Sequence, residues 1–147
     1  MKSFIIVLFL GITATVFSQK TTYNIQKGAV AAGYDVVAYF NNKAIKGAKK
    51  IAVTYDGVKF LFSTKENKVL FNKNPKKYIP QYGGYCAYAM GKNGEKVSIN
   101  PKTFEIRDGK LYLFYNAWGT NTLNLWTKEG AEKLQKRADK FWKKSLH

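Results

Sequence analysis

Two Asp-Gly dipeptides constrain the fold of this chain more than any other feature. The first, Asp56-Gly57, lies within residues 51–62, and the second, Asp108-Gly109, lies within residues 103–115. Each is flanked by apolar residues that alternate with polar ones. Asp-Gly favours the positive φ angles of a two-residue turn, and alternation puts apolar side chains on one face of a strand. The sequence therefore predicts an antiparallel β-hairpin in each segment.

A two-residue turn also fixes which residues face each other across a hairpin. The pairs expected inside the first hairpin are Tyr55–Val58, Val53–Phe60 and Ile51–Phe62. Those expected inside the second are Ile106–Leu111 and Phe104–Leu113, with Glu105, Arg107 and Lys110 outside. Both inner faces are expected to be core.

Other elements are predicted around these hairpins. Residues 33–40 are rich in β-branched and aromatic residues, which predicts a strand. Ser63 and Glu66 have the spacing of a capping box, which predicts a helix over residues 64–72. Helical spacing of apolar residues predicts a C-terminal helix over 128–143. The expected fold class is α+β, with small antiparallel hairpins packed with short helices and a C-terminal amphipathic helix.

The N-terminus has the pattern of a secretory signal peptide. A positive start is followed by a short apolar run and then by small residues that end at Ser18. The run is shorter than the roughly 20 apolar residues of a membrane span. We therefore expect a signal peptide over residues 1–18, an extended entry segment over 19–32 and a single domain over 33–147. The mature protein is then periplasmic or secreted and has no transmembrane segment.

The chain is strongly basic, with a formal net charge of +16. Nucleic acid is not the expected partner. An exported protein is separated from the nucleic acid of the cell, and arginine occurs only at Arg107 and Arg137. An anionic envelope surface or an acidic partner protein fits better. The alternative is a lysine-rich solvated surface without a specific partner.

Residues 82–90 contain the single cysteine, Cys86, and the only methionine besides Met1, which is Met90. A helix over residues 85–90 would put the two sulfurs on one face, four residues apart. Soft sulfur ligands suit Cu(I), so copper is the first cofactor candidate. The alternative is that both side chains only fill the core among aromatic residues.

Aromatic residues suggest a second type of site. Tyr82, Tyr85, Tyr88 and Tyr39, together with Asp35, are candidates for a pocket that binds an apolar or planar ligand. The alternative is again that they form core. Asp35 lies inside an apolar segment, and a buried aspartate bonded to turn amides is the favoured interpretation. An enzyme with a Cys86 nucleophile is the least favoured reading, because the sole histidine is the terminal His147.

Several sequence blocks together resemble one family. They are Gly-Tyr-Asp-Val-Val-Ala-Tyr-Phe at 33–40, residues 62–78 ending in Asn-Pro-Lys-Lys-Tyr, Tyr-Gly-Gly-Tyr-Cys-Ala-Tyr-Ala-Met at 82–90 and Asp-Gly-Lys-Leu-Tyr-Leu-Phe-Tyr at 108–115. The chain resembles the exported, single-domain branch of the YHS-domain proteins. The resemblance implies binding of soft or transition metals through cysteines, as in modules attached to copper-transporting ATPases. The positions that correspond to those cysteines are here Ala38, Ser63 and Asn67, which leaves Cys86 and Met90 as the sulfur donors.

These observations favour an exported, non-catalytic binding module of the YHS type with an unassigned ligand. The first alternative is periplasmic binding or handling of a soft metal through Cys86 and Met90. The second is a Cys86-dependent enzyme or redox protein.

Overall fold

The computed structural model describes residues 22–147. The predicted signal peptide, residues 1–18, and the start of the entry segment lie outside these residues. Over the described range the α-helices are α1 Lys65–Lys73, α2 Pro75–Tyr78, α3 Ala87–Asn93, α4 Thr122–Glu129 and α5 Ala131–Ser145. The strands are β1 Ile25–Gln26, β2 Ala29–Val30, β3 Ala48–Tyr55, β4 Val58–Phe62, β5 Asn100–Arg107, β6 Lys110–Phe114, β7 Asn116–Ala117 and β8 Thr120–Asn121.

The strands pair as antiparallel hairpins: β1 with β2, β3 with β4, β5 with β6 and β7 with β8. Short helices and the C-terminal α5 pack around them, so the predicted α+β class is confirmed. No helix within residues 22–147 has both the length and the apolar character needed to cross a membrane.

The hairpin β3–β4 has the predicted turn but an irregular far end. Tyr55 pairs with Val58 and Val53 pairs with Phe60, as predicted. The predicted pairing of Ile51 with Phe62 is wrong, because a bulge in β3 brings Ala48 opposite Phe62. Just before the strand, Gly47 approaches the backbone of Leu61 so closely that a Cβ would overlap it. This contact draws the start of β3 towards β4, and the bulge takes up the additional residues.

The hairpin β5–β6 confirms both predicted inner pairs, Ile106–Leu111 and Phe104–Leu113. Its other face is only partly open to solvent, however. Glu105 is half-buried, and its carboxylate accepts a hydrogen bond from the indole Nε1–H of Trp126 at 2.9 Å. The prediction that Glu105 lies on an exposed face is therefore wrong, because α4 covers that face.

Strand β6 separates two clusters of buried side chains within the described chain. Leu111 and Leu113 belong to the first cluster, which includes Phe60, Phe62 and Phe71. The second cluster lies on the other face and consists of Tyr82, Ala87, Met90, Tyr112, Phe114, Trp126, Leu134 and Ala138. Strand β6 is therefore buried on both faces, as in the centre of a layered fold.

The strand predicted over residues 33–40 is wrong. Apart from a bridge between Tyr34 and Lys46, the segment forms turns and a 3-10 helix over Ala38–Asn41. The Oδ1 atom of Asp35 accepts hydrogen bonds from the backbone N–H groups of Val37 and Ala38. These bonds turn the chain just after Asp35, so local hydrogen bonding overrides the β-propensity of the valines.

Helix α1 occupies almost the predicted residues, but its N-cap differs from the prediction. The side chain of Thr64, not that of Ser63, accepts the hydrogen bond from the N–H of Asn67 at 3.0 Å. The hydroxyl of Ser63 is instead directed at Asp35, to which it donates at 2.6 Å.

The last two predicted helices are shifted. The helix expected over 85–90 is α3, which begins at Ala87, directly after Cys86, and ends at Asn93, with Gly94 as its C-cap. The helix expected from Lys128 is interrupted at Gly130, whose φ of 103° ends α4 and separates it from α5. The described part of the entry segment folds as the small β1–β2 hairpin, and Ala29 and Val30 are buried.

Candidate functional site

Asp35 is fully buried at the meeting point of three segments. Besides the bonds that Oδ1 accepts from Val37 and Ala38, Oδ2 accepts hydrogen bonds from Ser63 and Asn67. Both the N–H and the hydroxyl of Ser63 donate to Oδ2, at 2.8 and 2.6 Å, and the Asn67 side-chain amide donates at 2.8 Å. A carboxylate offers about four acceptor sites, so its oxygens are fully used inside the protein. Asp35 therefore acts as a structural crosslink, and the candidate role in ligand binding has no free acceptor to support it.

Cys86 lies where the turn over residues 82–85 meets α3. The residue has no exposed surface, and its backbone is fixed from both sides: its N–H donates to the carbonyl of Val97, and its carbonyl accepts from the N–H of Met90. The Sγ atom accepts a hydrogen bond from the N–H of Tyr115 at 3.3 Å and lies 3.3 Å from Oγ1 of Thr122. The thiol is thus held between β6 and the start of α4.

The contacts of Thr122 indicate the direction of its hydrogen bond with Cys86. The hydroxyl of Thr122 donates its only hydrogen to the carbonyl of Tyr115 at 2.7 Å. The hydroxyl can therefore only accept from the S–H of Cys86. In this arrangement the sulfur donates one hydrogen bond and accepts another.

Met90 does not share the surroundings of Cys86. Cys86 belongs to the first cluster of buried side chains, whereas Met90 belongs to the second. The sequence argument assumed helical geometry at both positions, but Cys86 precedes the helix and has a non-helical ψ of 116°. The two side chains therefore pack into different parts of the core.

A cleft of about 220 Å³ opens beside Cys86, and we call it the Cys86 cleft. Its lining residues are Cys86, Tyr88, Ala89, Lys92, Asn93, Glu95, Val97, Tyr115 and Thr122. Helix α3 and the loop that follows it form one wall, and the residues that flank the β7–β8 hairpin form the other. The buried thiol and the Thr122 hydroxyl are thus next to a largely apolar space.

The rim of the Cys86 cleft carries a small polar network. The carboxylate of Glu129 accepts hydrogen bonds from the hydroxyl of Tyr88 at 2.8 Å and from the ammonium of Lys92 at 2.7 Å. The bond from Lys92, followed by that from Tyr88, holds the pKa of Glu129 below its ordinary value. Because these groups are exposed, solvent weakens the interaction, and the network mainly fixes the position of the Tyr88 ring.

The candidate tyrosines do not form one pocket. Tyr39 is fully buried, and its hydroxyl donates to the carbonyl of Pro101 at 2.6 Å. Tyr85 is half-buried, and its hydroxyl donates to the carbonyl of Tyr23 at 3.4 Å. Tyr82 lines a different cleft from Tyr88. The structure therefore assigns Tyr39 to the core, and it separates Tyr82 from Tyr88.

Sequence reasoning missed Tyr115 and Thr122 as partners of Cys86. They lie 29 and 36 residues further along the chain, and no motif connects them with the cysteine. Only the packing of α4 against β6 brings them together. Asn67, considered only as an altered cysteine position, was likewise not expected to bind Asp35.

Comparison with protein-family models gives one match: the YHS domain model matches residues 36–82. The chain therefore carries a YHS domain. The matched range contains Ala38, Ser63 and Asn67, whereas Cys86 follows it. Comparison with curated proteins and with solved structures found no match.

The metal that the resemblance implies does not fit the side chains present. At the positions expected to hold cysteines, Ser63 and Asn67 donate hydrogen bonds to Asp35, and Ala38 contributes only its backbone N–H. Within residues 22–147 no group of three or more His, Cys, Asp or Glu side chains is arranged to hold a metal ion. Polar contacts within the protein thus occupy the region where thiolates would be expected.

Proposed function

We propose that the protein is an exported, non-catalytic binding module and that the Cys86 cleft binds its ligand. The observation that carries the proposal is the presence of this largely apolar cleft beside a buried thiol and hydroxyl. Small-molecule sites typically combine apolar walls with a few fixed polar groups. At about 220 Å³, the cleft is smaller than the roughly 300–1,000 Å³ of drug-sized sites. The ligand we propose is therefore a small, uncharged, mainly apolar molecule.

The surroundings of Cys86 argue for binding and against nucleophilic catalysis. A cysteine nucleophile needs a neighbouring base that accepts its proton. The groups bonded to Sγ are a backbone N–H, which is itself a donor, and a threonine hydroxyl. Neither is a base of useful strength. The thiol is suited to packing against a ligand.

Soft-metal binding through Cys86 and Met90 is the alternative, with copper as the first candidate. It is less well supported, because the two sulfurs lie in different clusters. Binding of Cu(I) would require Met90 to leave its buried position or a further ligand to come from a partner. The experiment below separates the two proposals.

The test uses indole as a neutral apolar probe and follows the backbone amide NMR signals of the full mature protein. The expected result is a saturable shift of signals from Ala89, Val97 and Tyr115. The variant Ala89→Leu fills the cleft and should abolish these shifts. The control Ala131→Leu enlarges another half-buried alanine outside the cleft and should leave them unchanged.

The results of these titrations distinguish an apolar-ligand site from a soft-metal site. Shifts that persist in Ala89→Leu would show that indole binds elsewhere, and the cleft would not be the site. A parallel titration with Cu(I) tests the alternative. Tight binding that is lost in both Cys86→Ser and Met90→Leu would establish a sulfur site and overturn the proposal of an apolar ligand.

A further inference from the structure

A second, larger cleft of about 350 Å³ lies on another part of the molecule, and we call it the Trp142 cleft. It is bounded by the end of α2, the turn at Tyr82 and Gly83, and the last turns of α5. None of its lining residues lines the Cys86 cleft. The two clefts can therefore be tested independently.

The floor of the Trp142 cleft is rigidly built. Tyr82 has a left-handed φ of 57°, which is uncommon for a bulky side chain. Its ring contacts those of Tyr112 and Trp142, with centroid distances of 6.0 and 6.3 Å. Its hydroxyl donates to the carboxylate of Asp139 at 2.9 Å. The surrounding packing thus holds Tyr82 in a strained conformation, as is common at binding sites.

The backbone at the next residue is equally constrained. Gly83 has a φ of 61°, and a Cβ there would overlap the carbonyl oxygen of Thr22. The same Cβ would lie 3.1 Å from the ring of Trp142. Only glycine therefore lets the N-terminal segment and α5 both approach this turn, and their approach forms the cleft.

The walls of this cleft are apolar and its rim is basic. Trp142, Tyr23, Ile79 and Pro80 supply aromatic and aliphatic surface. Lys76 and Lys143 are exposed and line the cleft from opposite elements, α2 and α5. Asp139 is the one acidic side chain in the lining, and its carboxylate already accepts the Tyr82 hydroxyl. The local charge is therefore net positive.

We infer that the Trp142 cleft binds a small planar organic anion, such as an aromatic carboxylate. Aromatic walls favour a flat ring, and two lysines at the rim favour a negative group at its edge. Its volume lies at the lower end of the roughly 300–1,000 Å³ range of small-molecule sites. This site goes beyond the function proposed above, because it takes a ligand of different charge at a different place.

The test compares two probes of the same shape, 1-naphthoate and the neutral 1-naphthamide. Calorimetry on the full mature protein should show that the anion binds about tenfold more tightly than the amide. In NMR spectra, the anion should shift the indole N–H signal of Trp142 and leave that of the exposed Trp118 unchanged.

Charge variants test the role of the rim. The double variant Lys76→Gln/Lys143→Gln should remove the preference for the anion. The matched control Lys133→Gln/Lys136→Gln changes two exposed lysines of α5 outside the cleft and should keep the preference. Ala89→Leu should also bind naphthoate normally, because it alters only the Cys86 cleft.

Three results would overturn the inference. Equal affinity for the two probes would show that the lysines do not select the anion. An equal loss in the control double variant would show that only the overall charge of the protein attracts the probe. A naphthoate shift at Trp118 without one at Trp142 would put the probe elsewhere.

Discussion

The hydroxyl of Ser63 donates to the carboxylate of Asp35 at 2.6 Å, which joins the end of β4 to a turn 28 residues earlier in the chain. The Asn67 side chain adds the first turn of α1 to the same carboxylate. One buried carboxylate thus connects three segments that do not pair with each other as strands. Bonds of this kind are short and strong because the acceptor is ionised.

Asp35→Asn should destabilise the protein by about 3 kcal/mol. The side-chain NH₂ of asparagine would replace one carboxylate oxygen of Asp35. Its hydrogen atoms would face the donors that now bond to that oxygen, and these buried donors would lose their partner. Chemical denaturation with urea measures the free energy of unfolding. Asp108→Asn, in an exposed turn, is the control and should stay within about 0.5 kcal/mol of the wild type. A similarly small effect for Asp35→Asn would contradict its role as a crosslink.

Local signals predicted much of the fold. The turns at Asp56-Gly57 and Asp108-Gly109 depend on residues next to each other, so the hairpins and their nearest pairs are confirmed. The predictions that are wrong concern segments that contact a residue far away in the sequence. Ser63 has the pattern of a helix cap, yet its hydroxyl is directed at Asp35, and Thr64 caps the helix instead.

The candidate site could be predicted only in part for the same reason. The sequence singled out Cys86 as the one thiol, and the structure puts it beside a cleft. Its contacts with Tyr115 and Thr122 depend on how α4 packs, which no short motif specifies. The expected neighbour Met90 lies in another cluster of buried side chains, and Cys86 precedes the helix and does not lie within it.

Gly83→Ala should be strongly destabilising. The left-handed backbone alone costs an alanine about 1–2 kcal/mol, and overlap with the Thr22 carbonyl adds to that cost. Gly57→Ala is a matched control, because Gly57 also has a positive φ but nothing lies within 4 Å of the added Cβ. Thermal and urea unfolding of both variants should show the larger loss at Gly83. Equal losses would mean that the N-terminal segment does not pack on this turn.

Stability should fall steeply at alkaline pH. Burial, followed by the nearby carboxylates of Asp139 and Asp108, raises the pKa of Tyr112 from 10.0 to about 12. Burial also raises the pKa values of Tyr39 and Tyr82. A tyrosine whose pKa is higher in the folded state adds to the free energy of unfolding. This stabilisation is complete below pH 10, the pKa in the unfolded state, and is lost as the pH rises through the pKa in the folded state. Urea unfolding at a series of pH values measures this dependence.

Tyr112→Phe provides a check on the alkaline prediction. Among residues 22–147 no group bonds to the buried Tyr112 hydroxyl. Removing it should leave the protein as stable or raise the free energy of unfolding at neutral pH by about 1 kcal/mol. The loss of stability above pH 10 should also be less steep than in the wild type. A clear destabilisation at neutral pH would show that the hydroxyl has a partner.

Export predicts a processed N-terminus. N-terminal sequencing of protein recovered from the periplasm or medium should begin near Gln19. Leu8→Arg breaks the apolar run and should leave an unprocessed precursor in the cells, whereas Lys2→Arg keeps the positive start and should be processed normally. Recovered mature protein that still begins at Met1 would contradict the prediction.

Cys86 should react slowly in the folded protein and differently with reagents of different size. The residue has no exposed surface, so the folded protein must open locally before a reagent reaches the thiol. N-ethylmaleimide should therefore modify it at least about a hundredfold more slowly than in urea, where the chain is already unfolded. Methyl methanethiosulfonate is smaller and should be slowed less, because the cleft lies beside Cys86. Ala89→Leu should remove this advantage of the smaller reagent, and Ala131→Leu should keep it. If both reagents react as fast as in urea, the thiol is open to solvent, and the hydrogen bonds to Tyr115 and Thr122 do not hold it in place.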